Sequence, residues 1–417
     1  MANALRTVIT GTVGIAFLSV AAQCALAQSE SKQPEPYASI AAKGVEYSGP
    51  GREPAYDLTG TTIPIGLIVP LTGARKADGE AIVAAAKMAL ADAEKDSLPA
   101  GRKLILKTGN ESGPSWSGVT SALTHLVLDE QALAVITSAS GATAHLSEQV
   151  GNRIGVPVLT LAADKTTTQI DLPWIFRLGP TDALEARTIA AEIYRQRNLK
   201  RVLLVTENDH DGRRGLQEFQ VAARTLGAPL PNSLVLAPSR TDVEAYAEAI
   251  RAQAPEAIVL WTEAPTARTL LEAAGQSVTN APIFLPQEAA QDGFGAKVMS
   301  SIESPNAPSS LSDVWTVRPV VAESPMRDDF ARRYRQATGE YPSAAAAEAY
   351  DAVRLVASAF RKAGPNRARV RDEIAKTKSW QGASGTISFD GEGNNAVQVR
   401  LVQVPASATT GELTRRN

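Results

Sequence analysis

Residues 63–94 read IPIGLIVPLTGARKADGEAIVAAAKMALADAE. An apolar run carried by Ile63, Ile65, Leu67 and Val69 meets a Pro-Leu-Thr-Gly turn, and an Ala-rich helical pattern follows. This is a buried strand feeding a helix through a short loop, the opening βα unit of a doubly wound sheet. In such sheets ligands sit at the carboxyl ends of the strands, which makes Leu71–Gly79 a candidate ligand rim.

Strand and helix patterns alternate onward from this unit. Strands are expected at 103–108, 133–137, 156–161 and 175–178, with helices at 115–130 and 142–153 between them. After Gly179-Pro180 the alternation restarts, with strands at 201–206, 233–236, 257–261 and 282–285 and helices at 212–226, 242–252 and 265–274. Past residue 310 come a strand at 314–317, helices at 325–337 and 343–362, and a hairpin of 385–389 with 396–404 around Asp390–Asn395. Two α/β blocks, then helices, then a hairpin fit two lobes that the chain crosses more than once.

The chain has 417 residues and a formal charge of −2, which gives no reason to expect nucleic acid or an anionic membrane as a partner. Its start reads as a cleaved signal peptide, 1–27: Arg6 supplies the positive charge, Val8 to Ala22 the apolar stretch, and Ala25-Leu26-Ala27 the small-x-small cleavage site. Cleavage there removes Cys24, the only cysteine, so the exported protein relies on its core rather than on disulfides. A Pro-rich, extended and poorly ordered leader (28–61) and a frayed tail (406–417) are expected to flank the folded part.

Enzyme signatures are scarce. The three histidines, His125, His145 and His210, have no HxxH or HExxH spacing, so no metal site is expected. There is no GxSxG elbow and no phosphate-binding Walker loop. No catalytic residue and no cofactor is expected.

Ordered landmarks run through the chain: Val69–Gly73 (VPLTG), Asn110-Glu111 with Gly113-Pro114, Ser138–Thr143 (SASGAT), Gly155–Thr160 (GVPVLT) leading to Ala162-Ala163, Phe176-Arg177, and the segment beginning at Gly385. In order and spacing they resemble the type I periplasmic solute-binding proteins of ABC importers, of the branched-chain amino-acid and amide group, over about residues 63 to 404. The resemblance implies a two-lobed α/β fold, each lobe a doubly wound, mostly parallel sheet flanked by helices, with three hinge crossings near Gly179, Arg318 and Ala383. Lobe 1 would comprise 62–179 plus 319–382, and lobe 2 would comprise 180–318 plus 383–405. It implies a periplasmic monomer that closes on a small-molecule ligand and hands it to a membrane permease–ATPase complex. A sensor docking on a membrane receptor needs the same clamp, and an extracytoplasmic enzyme on this scaffold is a third reading.

The candidate site follows residue by residue. Ser140, Gly141, Ala142 and Thr143 lie where a strand ends and a helix begins, so that backbone N–H groups and a hydroxyl converge on a carboxylate-sized anion. The alternative is that Ser140 or Thr143 only caps the helix. In the family, the loop matching Ala162, Ala163 and Asp164 grips an amino-acid head group. An acid at Asp164 would repel a ligand carboxylate, which argues against a plain branched-chain amino acid. Asp211 and Glu263 fall where aromatics are common, and Glu288 matches the acid that pairs with a ligand ammonium. Together these carboxylates would favour an amine-bearing, cationic or polyhydroxy ligand or a metal complex; solvated rim charges are the plainer reading. Arg75 offers a compensating charge, and Trp116 and Trp261 offer stacking or packing.

Overall fold

The computed structural model describes residues 47–96, 98, 101–111, 115–168, 172–237, 243–274, 281–290, 313–321 and 324–404. The expected signal peptide, residues 28–46 of the leader, Gly113-Pro114, the side chain of Trp116 and the tail lie outside the described residues.

The opening segment forms β1 (Thr62–Val69), buried from its second residue on, and α1 (Lys76–Glu94). It is followed by β2 (Lys103–Asn110), α2 (Ser115–Thr124) running into a π turn at His125–Asp129, β3 (Ala134–Thr137), α3 (Gly141–Ile154), β4 (Val158–Thr160) and β5 (Ile175–Arg177). The first sheet has the order β2-β1-β3-β4-β5 and is parallel throughout. Both faces are covered, which is why its strands read as continuous apolar runs. Ile63, Ile65, Leu67 and Ile136 face one core, and Ile68 and Val135 face another with Leu123 and Leu126 of the α2 segment.

The second lobe begins with α4 (Asp182–Ala191), then β6 (Val202–Glu207), α5 (His210–Thr225), β7 (Asn232–Leu236), α6 (Val243–Ala252), β8 (Ala257–Trp261), α7 (Ala264–Ala274), β9 (Ile283–Leu285) and β10 (Val314–Pro319). The chain then returns to the first lobe for α8 (Pro325–Thr338), α9 (Ala344–Ala363) and α10 (Arg367–Ala375). The short β11 (Trp380–Gln381) and β12 (Thr386–Ile387) precede β13 (Val399–Gln403). The second sheet has the order β13-β10-β9-β8-β6-β7, with only β13 antiparallel. The alanines of α1 (Ala85, Ala86, Ala89, Ala93) have no side-chain bulk to hold helices apart, and they share one core with Ala346, Ala349 and Val353 of α9.

Three sequence expectations change. The hairpin is not one: β12 pairs with β11, whereas β13 pairs with β10 in the other sheet, and only a Phe389–Asn395 bridge closes the turn between them. The third crossing accordingly falls later than Ala383. Ala383, Ile387 and Phe389 are buried in the first core, and Arg177 of β5 exchanges backbone hydrogen bonds with Gly393 and Asn395. The described end of the leader is also fastened rather than loose. Arg52 pairs with Asp372 at 2.6 Å, Asp57 with Arg369 at 2.8 Å, and Leu58 is buried.

Two helices escaped the sequence reading. Ala186, Ile189, Ala190, Ile193 and Tyr194 carry a 3.6-residue stripe for α4 and its π turn, and Thr181 caps the Leu184 N–H. The short helix α10 starts immediately after a Gly-Pro stop, capped by Asn366.

Phe389 tests the revised crossing, since it lies in the first core with its ring centroid 5.2 Å from that of Phe176. Phe389→Ala is expected to lower unfolding stability by about 3–5 kcal/mol, as a buried aromatic truncation does. A urea-denaturation loss under ~1 kcal/mol would place Phe389 outside that core.

Candidate functional site

In each sheet the strand order reverses at one point: around β1, flanked by β2 and β3, and around β6, flanked by β7 and β8. A crevice opens at the carboxyl end of such a point. The loops there supply Arg75 after β1, Ser138–Gly141 after β3, Asp164 after β4, Glu207–Gly212 at the end of β6 and Glu263 after β8. Glu288 follows β9. They meet at a cavity with about 630 Å³ of empty space, part of it open to solvent.

Of the sequence candidates, Arg75, Ala163, Asp164, Asp211, Glu263 and Glu288 line this cavity, and so does Trp261. Trp261 is 8% exposed and packs on α5 at Gly215, where a Cβ would come within 2.2 Å of the indole. Ser140, Gly141, Ala142, Thr143 and the buried Ala162 lie outside its lining. Ser140 accepts the Thr143 N–H at 3.4 Å, a helix cap. The Gly141 N–H is directed at a carboxylate, but that carboxylate is the protein's own: Asp211 Oδ1, 3.0 Å away on the other lobe. Only glycine permits this approach, because a Cβ at position 141 would sit 2.4 Å from that oxygen.

Other contacts also cross between the lobes. Arg75 pairs with Glu263 at 3.2 Å and Lys165 with Glu218 at 2.8 Å. The Asp164 carboxylate, 1% exposed, receives Arg214 Nε at 3.2 Å and stands 2.6 Å from His210 Nε2, both from α5. From its own lobe it meets His145 Nε2 at 3.0 Å and the Thr166 N–H at 2.9 Å. Arg177, fully buried beneath, holds the Asp164 carbonyl and the hydroxyls of Thr167 and Thr168.

The lining is rich in acids. Asp164, Asp182, Glu185, Glu207, Asp209, Asp211, Glu263 and Glu288 face two arginines, Arg75 and Arg214. Most are engaged: Glu207 accepts the Glu263 N–H and the Thr266 hydroxyl, Asp209 caps Gly212, Asp182 accepts the Lys165 N–H and Glu185 accepts the Gln287 N–H. Glu288 accepts no hydrogen bond and makes no ion pair among the described residues, and it lines this cavity and a second one beside it. Two groups have the donor types to hold a cation: His145, Asp164 and His210, and the acids Glu207, Asp209 and Glu263.

Burial sets the titration of these groups. It raises Glu185 and Glu348 to about 8 and Asp182 to about 6, and it raises Asp211 and, well above the usual range, Glu288. Hydrogen bonds to Asp164 and Glu148 raise His145 to about 10. Burial opposes the Asp164 charge, but the two imidazoles and Thr166 outweigh it and hold this carboxyl far below its ordinary value. Burial likewise opposes the Arg75 charge, and Glu263, Glu111 and Glu288 around it prevail and raise it.

Sequence reading missed His145, Arg214 and Glu218, which have no motif spacing. Their meeting depends on how α5 of one lobe faces the β4 loop of the other.

Two doubly wound sheets with their switch points facing one cleft define a two-lobed solute-binding protein of the type I periplasmic class. The chain belongs to the periplasmic binding protein family, whose sequence model matches residues 62–409. It is similar in structure to the branched-chain amino acid transporter substrate-binding protein LivJ of Streptococcus pneumoniae, solved with isoleucine. The TM-score is 0.70 at 23% identity over 82% of this chain and 96% of that one. It is also similar to the leucine-binding protein LivK of Thermotoga maritima (TM-score 0.71, 20% identity, 82% of this chain and 95% of that one). A third likeness is to an ABC-transporter solute-binding protein of Rhodopseudomonas palustris, solved with 3,4-dihydroxybenzoic acid (TM-score 0.70, 19% identity, 83% of this chain and 94% of that one). No match was found among curated protein sequences. The family places the protein outside the cytoplasm, and no described helix is long and apolar enough to cross a membrane.

The raised carboxyls make a pH prediction. A carboxyl with a higher pKa folded than unfolded stabilises fully below its unfolded value, 3.8 for Asp or 4.5 for Glu, and loses that contribution as pH rises through the folded value. His145 adds a loss between its ordinary 6.5 and about 10. Asp164 acts oppositely, contributing above 3.8 and losing that in acid. The melting temperature of the ligand-free protein should therefore fall from pH 5 to pH 8.5, and less steeply in Glu185→Gln. A melting temperature that climbs across that range contradicts the assignment.

Proposed function

We propose that this protein captures a small amine-bearing solute between its lobes by hinge closure and delivers it to a membrane permease–ATPase complex as a monomer. The lobes would run 62–179 plus 319–395 and 180–318 plus 396–404. Glu288 is the observation that carries the reading: a carboxyl in the cleft with no hydrogen bond or ion pair among the described residues, its charge opposed by burial, favoured by Arg75 and opposed by Asp211, Glu185 and Glu348. A half-buried acid left this way is costly unless neutralised, and an ammonium group neutralises it while making a charge-assisted hydrogen bond.

The neighbours' ligands, isoleucine and 3,4-dihydroxybenzoic acid, both carry a carboxylate. In this chain Asp211 fills the Gly141 N–H position with the protein's own carboxylate. A ligand carboxylate would have to displace it and enter a wall where acids outnumber arginines. Positive charge on the ligand suits that wall, and the remaining acids and hydrogen-bonding groups offer acceptors for further N–H groups or hydroxyls. Closure follows from contacts made to both lobes at once, which favour the closed state by the ligand's differential affinity for it.

Thermal-shift screening against aliphatic amines, diamines, amino acids, amides and aromatic acids tests this, since a ligand selective for the native state raises the melting temperature. An amine is expected to give the largest shift. Glu288→Ala should remove it while the unliganded protein still melts cooperatively. Shifts confined to simple carboxylates, or an amine shift unchanged in Glu288→Ala, would overturn the reading.

A further inference from the structure

His145, Asp164 and His210 converge on one point, and the ligand reading makes no use of it. His145 lies on α3 and Asp164 follows β4 in the first lobe, whereas His210 opens α5 in the second. Their donor atoms all lie within 4.8 Å of one another. We propose that these three residues form an inter-lobe binding site for a divalent transition-metal ion of the zinc type, held by the two Nε2 atoms and Asp164 Oδ2.

The spacing suits such an ion. Ligands at roughly 2.0–2.2 Å from zinc stand about 3.3 Å apart at the tetrahedral angle. Here Oδ2 is 3.0 Å from His145 Nε2 and 2.6 Å from His210 Nε2, so taking up the ion parts Oδ2 from His145 by about 0.3 Å and from the half-exposed His210 ring by about 0.7 Å. Metal-free, both Nε2 atoms stand within hydrogen-bond distance of Asp164 Oδ2, and His145 Nε2 is also 2.8 Å from the Thr166 hydroxyl; a metal ion would take the place of the protons in these contacts.

The surroundings orient each ligand as metal sites require. His145 Nδ1 is 3.0 Å from Glu148 Oε1, the carboxylate–histidine pairing that fixes a ring with its other nitrogen presented to a metal. Asp164 divides its oxygens. Oδ1 accepts the Thr166 N–H at 2.9 Å, the Thr166 hydroxyl at 2.7 Å and Arg214 Nε at 3.2 Å, while Oδ2 faces the two rings.

Two imidazoles and one carboxylate suit zinc, cobalt, nickel or copper, whereas magnesium and calcium take oxygen sets. Three protein ligands leave a position for water or a solute group. Because the ligands come from both lobes, the ion clasps the cleft shut. The acids Glu207, Asp209 and Glu263 support no parallel site, since the Glu207 oxygens are taken by Glu263 N–H and the Thr266 hydroxyl.

Titration of the chelator-treated full chain with Co²⁺, read by visible absorption, and with Zn²⁺, read by calorimetry, tests the proposal. One ion per chain is expected, with the visible bands of a low-coordinate cobalt site that Zn²⁺ abolishes. His145→Ala and His210→Ala should each weaken binding by roughly 100-fold or more, and Glu148→Gln by about 10-fold. His125→Ala, at an exposed ring paired with Asp129, should leave it unchanged. His210 is the side chain least needed for folding, being half-exposed at a helix start, so that variant decides if His145→Ala does not fold. No metal uptake by the wild type, or equal binding by His210→Ala, overturns the site. No amine is present in this experiment, so its failure leaves the ligand reading standing.

Discussion

The buried carboxylate of Asp164 is the constraint on which the seam between the lobes depends. A charge 1% exposed persists only where it is paired and hydrogen-bonded. Its pairing comes from both sides: His145 and Thr166 from its own lobe, His210 and Arg214 from the other. Arg177 sets the loop that presents it, through its backbone carbonyl and the following threonines. Parting the lobes strips two of these partners from Asp164 while the remaining ones stay in place.

Around this seam the protein completes itself with its own charges. Asp211 takes the anion position at Gly141, and Glu263 takes Arg75. Exposed ion pairs contribute about 0–1 kcal/mol each, and the half-buried Arg75–Glu263 pair is a modest contact of that kind, whereas Asp211 is held by the Gly141 N–H. Glu288 stands apart from that pattern. Burial pushes its carboxyl well above the usual range, against the opposing pull of Arg75, and on the proposed reading a ligand cation supplies the partner it lacks.

Much of the fold was legible because parallel strands covered on both faces leave unambiguous apolar runs. The segment from Ile63 to Glu94 announced a strand, a turn and a helix, and all three are present. The carboxyl-end rule then brought Arg75, Asp164, Asp211, Glu263 and Glu288 to one cavity. Long-range partnering was not legible. Residues 385–404 have the local pattern of a hairpin, yet β13 gains more by joining β10 at a sheet edge than by pairing with a strand two residues long. The filling of the Gly141 site by Asp211 and the meeting of two histidines on Asp164 depend on how two lobes face each other, which no local spacing encodes.

The proposal turns on Glu288, whose carboxyl burial pushes well above the usual range, taking a ligand cation. Calorimetric titration of the amine that most raises the melting temperature, at neutral pH in two buffers of different ionisation enthalpy, tests it most directly. An ammonium binding against Glu288 should expel a proton, so the apparent heat should depend on the buffer with the sign of proton release, and affinity should rise as pH increases. Heats independent of buffer, or proton uptake on binding, would contradict it.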